Sequence, residues 1–252
     1  MSIEIAFVPC GLPDDQEEDL VGTDWHQQAI DNTYDALMDL AEVERLPWHV
    51  GNQLPMVGWA PDGSGWHPSP DIMVHPSAGR ERRKEMVART DGIPALIVEV
   101  ASDSTWRHDV SLSDGKAAGY MAMGVPNYLV FDPTRAYLRE ACRAWRLDDT
   151  QRVPGRAVTW RPDRAGRYQC ASLGITLLPE DYFLRVIDAA GRLVPTRVER
   201  IYESFARLEQ NQALRQENTQ LAGQNTQLAE ENARLRAELG RLLGRQLDDQ
   251  DG

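Results

Sequence analysis

Pro94-Ala95-Leu96-Ile97-Val98-Glu99-Val100 decides the fold of this 252-residue chain. Leu96, Val98 and Val100 form one apolar face and Ala95 and Ile97 the other, the pattern of a central strand covered on both sides. Glu99 breaks that pattern. An isolated carboxylate buried in such a strand is costly, so a cation is expected beside it. Downstream, a helix over about 113–123 is stopped by Gly124, and Val125 to Asp132 reads as the next apolar strand. Strand, helix and strand in that order predict an α/β domain.

The flanking segments fill in the sheet. Asp71-Ile-Met-Val-His75 is a short strand behind a Gly/Pro/Asp turn region at 60–70, and Trp48 to Val57 alternates as a looser one. Thr23 to Glu44 reads as a helix capped by Thr23 or Asp24, with Ala29, Ile30, Thr33, Leu37, Leu40 and Ala41 as its apolar stripe. Segments 136–147, 156–160 and 166–169 look like antiparallel strands joined by turns, and 173–178 and 182–187 add short ones. Ahead of them all lie a short apolar opening and an acidic loop, Pro13-Asp-Asp-Gln-Glu-Glu-Asp19.

Composition narrows the class. With 42% hydrophobic and 26% charged residues the chain can build a real core. Its apolar runs fall far short of the roughly 20 residues that span a bilayer. The N-terminus has no basic n-region, and Cys10, Cys142 and Cys170 form no CxxC pair. The expectation is a reduced, cytoplasmic protein with no membrane span and no zinc ribbon. Thirty-nine acids against 27 bases give −12, so net charge does not advertise a nucleic-acid binder. Of the bases, only Lys84 and Lys116 are lysine.

From about Thr196 the composition changes. Arg200 to Arg245 contains no proline, and Leu214, Leu221, Leu228, Leu235 and Leu242 recur every seven residues. Asn211, Asn218, Asn225 and Asn232 stand three residues before the first four leucines, and Leu239 completes the series. Leucine at d and asparagine at a predict a parallel, low-order coiled coil, with Glu231 at g facing Arg236 at e of a partner. The predicted organisation is a globular domain at 1–196, a zipper at 197–246 and a disordered acidic end at 247–252.

Chemistry concentrates around Glu99. The Asp71 strand can pair antiparallel with the Glu99 strand, bringing both carboxylates to one end. Two readings fit: a divalent cation shared by the pair, or Asp71 capping a turn while Glu99 pairs with an arginine. Lys116 favours the first. It falls at the start of the helix after the Glu99 strand, where a cation opposes the helix dipole unless it serves an anionic site.

Pro70-Asp71, then Pro94-Ala-Leu-Ile-Val-Glu99-Val-Ala-Ser-Asp-Ser-Thr105, Asp109, Gly115-Lys116, Tyr120, Gly124-Val125, Tyr128 and Phe131-Asp132-Pro133 run in one order. This string resembles the Uma-type restriction-endonuclease family of the PD-(D/E)XK nuclease superfamily over roughly residues 24–196. The resemblance implies a restriction-endonuclease-like mixed sheet flanked by helices, with a coiled-coil helix as a frequent C-terminal addition. It implies that Asp71 and Glu99 hold Mg²⁺, or Mn²⁺, and that Lys116 supplies the catalytic lysine, since Ala101 stands two residues after the glutamate. His26, Asp109 and Tyr120 match accessory positions.

The activity implied is metal-assisted hydrolysis of DNA phosphodiester bonds by a homodimer. DNA would be met by local bases: Arg80, Arg82, Arg83, Lys84, Arg89 and Arg107. Two alternatives stand beside it. One is a non-catalytic DNA-associated or scaffold protein that keeps the fold and dimerises through its tail. The other is a metal-dependent hydrolase of a small phosphorylated molecule.

Overall fold

The computed structural model describes residues 17–148 and 156–248. Cys10, most of the acidic loop at 13–19 and the last four residues of the acidic end lie outside the described residues, as does the side chain of Leu242. In chain order the elements are α1 (Glu17–Val43), β1 (His49–Asn52), β2 (Met56–Trp59), β3 (Gly65–Trp66), β4 (Ile72–His75), β5 (Met86–Val87) and α2 (Ala88–Asp91). There follow β6 (Leu96–Val100), α3 (Trp106–Asp109), α4 (Lys116–Met123), β7 (Asn127–Phe131), β8 (Cys142–Leu147), β9 (Ala157–Thr159), β10 (Tyr168–Cys170), β11 (Ile175–Glu180), β12 (Phe183–Ile187) and α5 (Arg197–Asp248).

A six-stranded mixed sheet runs β1-β4-β6-β7-β8-β9. Only β6 and β7 are parallel within it, joined by the crossover through α3 and α4. Every residue of β6 is buried, as a strand covered on both faces requires. Leu96, Val98 and Val100 enter a core shared with α1 and with the three-stranded β10-β11-β12 sheet. Ile97 points the other way, into a core with Tyr120 and Met121 of α4, Met56 of β2 and Met86 of β5. Glu99 shares the face of Ile97 by the two-residue period of a strand. This is the restriction-endonuclease-like arrangement, a mixed sheet flanked by helices with a long C-terminal helix.

Several sequence expectations need correction. The single strand expected over Trp48 to Val57 is two, β1 and β2, because Gln53 between them turns left-handed at φ 48°. Helix α1 begins at Glu17, so Thr23 and Asp24 lie inside it and do not cap it. Of 136–147 only Cys142–Leu147 is strand, since buried Asp132 gathers the backbone N–H groups of Thr134, Tyr137 and Leu138 into a compact loop. Helix α4 starts at Lys116 and is stopped by Gly124, as predicted at its C-terminal end.

The chain divides into two compact units, residues 1–197 and 198–252. Along the second, Leu214, Leu221, Leu228 and Leu235 are each about half exposed. Ile201, Phe205 and Leu208 are exposed in the same way, an apolar stretch that the heptad reading leaves out. Among the described residues, no helix is long and apolar enough to cross a membrane.

Candidate active site

β4 and β6 pair antiparallel with Ile72 opposite Val98. One step further, the strand ladder gives way to side chains. Asp71 Oδ2 accepts a hydrogen bond from the Val100 N–H at 2.8 Å, and the Asp71 N–H approaches Glu99 Oε2 at 3.4 Å. The Val100 carbonyl accepts from His26 Nε2 of α1 at 3.0 Å, and that nitrogen also lies 3.8 Å from Asp71 Oδ2. Trp25 stacks on Tyr182 with ring centroids 4.1 Å apart, pinning this end of α1 beside the β11–β12 hairpin.

Glu99 is 1% exposed and fully occupied. Tyr120 donates its phenol to Oε1 at 3.0 Å, and Lys116 Nζ lies 2.9 Å from Oε2. The same ammonium lies 3.0 Å from Oδ1 of Asp109, which is wholly buried. Asp109 Oδ2 has no hydrogen-bond partner. Tyr128, behind the cluster, donates to the Asp109 carbonyl at 2.8 Å. Gly115 explains how α4 delivers its lysine: a Cβ there would lie 2.0 Å from the His108 carbonyl oxygen, so only glycine lets α3 and α4 meet this closely.

Electrostatics follow from this packing. Burial pushes the Glu99 carboxyl up to about 8 although Lys116 opposes the rise, and the charges of Asp71 and Asp109 add to it. Burial works against the Lys116 charge too. The two carboxylates beside it overcome that cost and hold the ammonium above its usual range. Lys116 therefore keeps the proton within the pair. Burial, followed by the charge of Glu99, holds the Tyr120 phenol well above its usual range, so it remains a neutral donor.

All six expected site residues, His26, Asp71, Glu99, Asp109, Lys116 and Tyr120, thus stand in one connected cluster. Sequence reasoning gave no role to Tyr128 or to the Val100 peptide group. A main-chain group carries no sequence signal, and Tyr128 in an apolar strand reads as core. Of the basic residues, Arg80, Arg82 and Arg83 line one cavity against α1 and β1 that includes none of the cluster residues. Arg80 bonds the carbonyls of Ala41 and Leu46 past the C-terminus of α1, and Arg83 pairs with Asp91 at 2.9 Å. Arg89 lies over Trp59 and Arg107 over Trp106. Arg82 and Lys84 are exposed.

Among the described residues no three His, Cys, Asp or Glu side chains are gathered as a ready metal cage. A hard divalent cation needs less than that, since one or two carboxylates with water and a phosphate suffice for Mg²⁺. The donor set fits. Glu99 and Asp109 share a single ammonium, the partly open Asp71 carboxylate stands close enough to add to the rise of Glu99, and Asp109 Oδ2 is left without a hydrogen-bond partner. Asp71 and Glu99 are the residues that would hold the cation.

No curated protein matches the chain significantly. Among solved structures, it is similar to a nuclease-like protein of DUF820 from Anabaena variabilis, described as "a putative nuclease", at 12% identity and a TM-score of 0.38, covering 56% of this chain and 69% of that one. The family model described as "Putative restriction endonuclease" matches residues 17–181, which contain the whole cluster. That span is more than half of the sequence, and the chain belongs to the Uma2 family.

Proposed function

We propose that the protein is a metal-dependent endonuclease that hydrolyses DNA phosphodiester bonds at the cluster of Asp71, Glu99 and Lys116, and that it works as a homodimer joined by α5. The observation that carries this reading is the crowding of acids at the end of β6: buried Glu99 and Asp109 share one ammonium, and Asp71 stands close enough to add to the rise of Glu99. A cluster kept for stability alone would be replaced to advantage by apolar residues.

When bound, a divalent cation there supplies charge neutralisation of the phosphate and acidification of a water. The chain's own residues do the rest. The Val100 N–H fixes Asp71 Oδ2, and the Tyr120 phenol fixes Glu99 Oε1, so both carboxylates are oriented before a cation arrives. Lys116, paired with both Glu99 and Asp109, would hold the attacking water or meet charge building on phosphorus with its ammonium.

Dimerisation rests on the exposed leucines of α5, which call for a facing helix. With an overall charge of −12 the chain attracts a polyanion poorly, and a dimer doubles the number of local contacts. Arg80, Arg82, Lys84 and Arg89 of the basic loop are exposed, and of these Arg82 and Lys84 take no part in the hydrogen bonds and ring contacts described above.

The deciding experiment is nicking of supercoiled plasmid with Mg²⁺ or Mn²⁺, run beside Asp71→Ala and Glu99→Ala. Cleavage by the wild type and loss in both variants is the expected outcome. A wild type inert with either ion on any DNA would favour the scaffold reading, to which four structurally engaged arginines already lend weight.

A further inference from the structure

A cavity of about 520 Å³ lies between the C-terminal half of α1, β1 and the basic loop, and none of the cluster residues lines it. Its size falls within the range of small-molecule sites, about 300–1,000 Å³. β1 is an edge strand, paired only with β4. Gln53, just past its end, donates its N–H to the Asp71 carbonyl at 3.0 Å. By the alternation of an antiparallel ladder, Val50 and Asn52 then direct their N–H and C=O groups away from the sheet, on the side of the cavity they line. Opposite that row of donors and acceptors, Tyr34 and Met38 of α1 and Leu54 supply apolar walls, and none of the three is fully buried. His49, also in the lining, is buried. A carbonyl only accepts, so the 3.2 Å contact with the Gly79 carbonyl puts the ring's hydrogen on Nδ1 and leaves Nε2 an acceptor. Burial lowers this imidazole below its usual range, which keeps that lone pair free near neutral pH.

We propose that this cavity binds a nucleobase, its face against Tyr34, Met38 and Leu54 and its edge on the outward main-chain groups of β1. This rests on the nuclease reading given above and adds to it a substrate class, DNA with an unpaired base beside the point of cleavage. A flat apolar face rimmed by donors and acceptors is the shape and chemistry that these walls complement. Phosphate alone is a poorer match, because Glu42 and Glu81 stand in the lining with Arg82. An extended peptide added to β1 is the competing occupant. Against it, Arg80 bonds the carbonyls of Ala41 and Leu46, tying the loop to the end of α1 and closing the groove there. The other end, at Asn52 and Leu54, flanks Gln53 and so stands next to Asp71.

The test uses the full-length protein stripped of metal, so that binding is read without cleavage. The probes are a fluorescein-labelled short single strand of DNA, the same strand in a duplex, and free deoxynucleoside monophosphates as competitors. Anisotropy is expected to show the single strand bound about tenfold more tightly than the duplex, the order of one stacked base. Met38→Trp changes an exposed helix position, fills the cavity without disturbing the core, and should erase that difference at an unchanged melting temperature. Asn52→Ala should reduce it severalfold. Because neither metal nor cleavage is involved, this result and that of the nicking assay stand or fall separately.

If Met38→Trp keeps the preference, or if the wild type binds both DNA forms alike and no mononucleotide, the proposal is overturned. A mononucleotide that the wild type binds and Met38→Trp excludes, but that does not compete with the single strand, upholds the base site and assigns it to free nucleotides instead of DNA. In a crystal grown with the single strand, a base in the cavity is expected. An extended segment of a neighbouring chain paired with β1 in its place would contradict the proposal and mark a strand-addition site.

Discussion

Lys116 and Tyr120 show how much of this site rests on single groups. Each satisfies a buried carboxylate oxygen that nothing else among the described residues reaches as closely. Tyr120→Phe leaves Glu99 Oε1 without its donor, and a loss of about 1–3 kcal/mol in denaturant-unfolding stability is expected. An unchanged midpoint would mean that water replaces the phenol. Lys116→Met strands Glu99 and Asp109 together, at a cost of about 3 kcal/mol or more in the metal-free protein. That variant should recover part of its melting temperature on adding divalent cation, whereas an ordinary packing defect would not. Glu99 was legible in the sequence because one acid interrupts an apolar strand, and Lys116 because lysine is so rare here. Trp66 was not. Its ring lies against Gly119, where a Cβ would come within 2.7 Å, and tilts onto Tyr120 at 4.8 Å. A two-residue strand carries too little pattern to announce such a contact.

At the level of elements, the long and strongly patterned segments were readable: β6, β7, α4 and α5 fall close to where periodicity puts them. The short ones were not, because β3 and β5 have two residues each and are strands only through their pairing with β2. The pairing of β1 with β4 holds something the sequence hid entirely. It sets His49 opposite His75, both buried, with Arg83 and Asp91 nearby. Burial, with Arg83 next for His75, lowers both imidazoles below the usual 6.5. The folded state then binds fewer protons than the unfolded chain, so this pair's stabilisation is present above the unfolded pKa and is lost as pH falls below it. Glu99 acts in the opposite sense, because its raised value makes the metal-free fold stronger as pH falls from about 8 toward 4.5. A comparison that shares Glu99 isolates the histidines. The stability advantage of the wild type over His75→Asn, which keeps an acceptor for the Ser77 N–H, should shrink as pH falls from about 7.5 to about 5.5. An advantage constant across that range would show that His75 binds protons equally in the folded and unfolded states.

For the whole molecule, the proposed assembly rests on α5. From Leu214 onward the seam alternates steps of three and four, while Phe205, Leu208, Asn211 and Leu214 are each three apart. Such an inserted three-residue step overwinds a coiled coil locally. The exposed stripe from Ile201 to Leu208 can therefore continue the seam, which the heptad count alone placed no earlier than Asn211. A dimer is expected at micromolar concentration in sedimentation, and a monomer for Leu221→Asp/Leu228→Asp in the full chain. A double variant that still sediments as a dimer would place the interface elsewhere.

Asp71 and Glu99, with Lys116 beside them, are proposed to form one cation-dependent site. Anomalous diffraction from a crystal of the full chain grown with Mn²⁺ tests it most directly. An anomalous peak is expected within bonding distance of both carboxylates, with Lys116 still on Asp109 but released from Glu99. A Mn²⁺-saturated crystal with no peak there, and with Lys116 still clamped between Glu99 and Asp109, would contradict it.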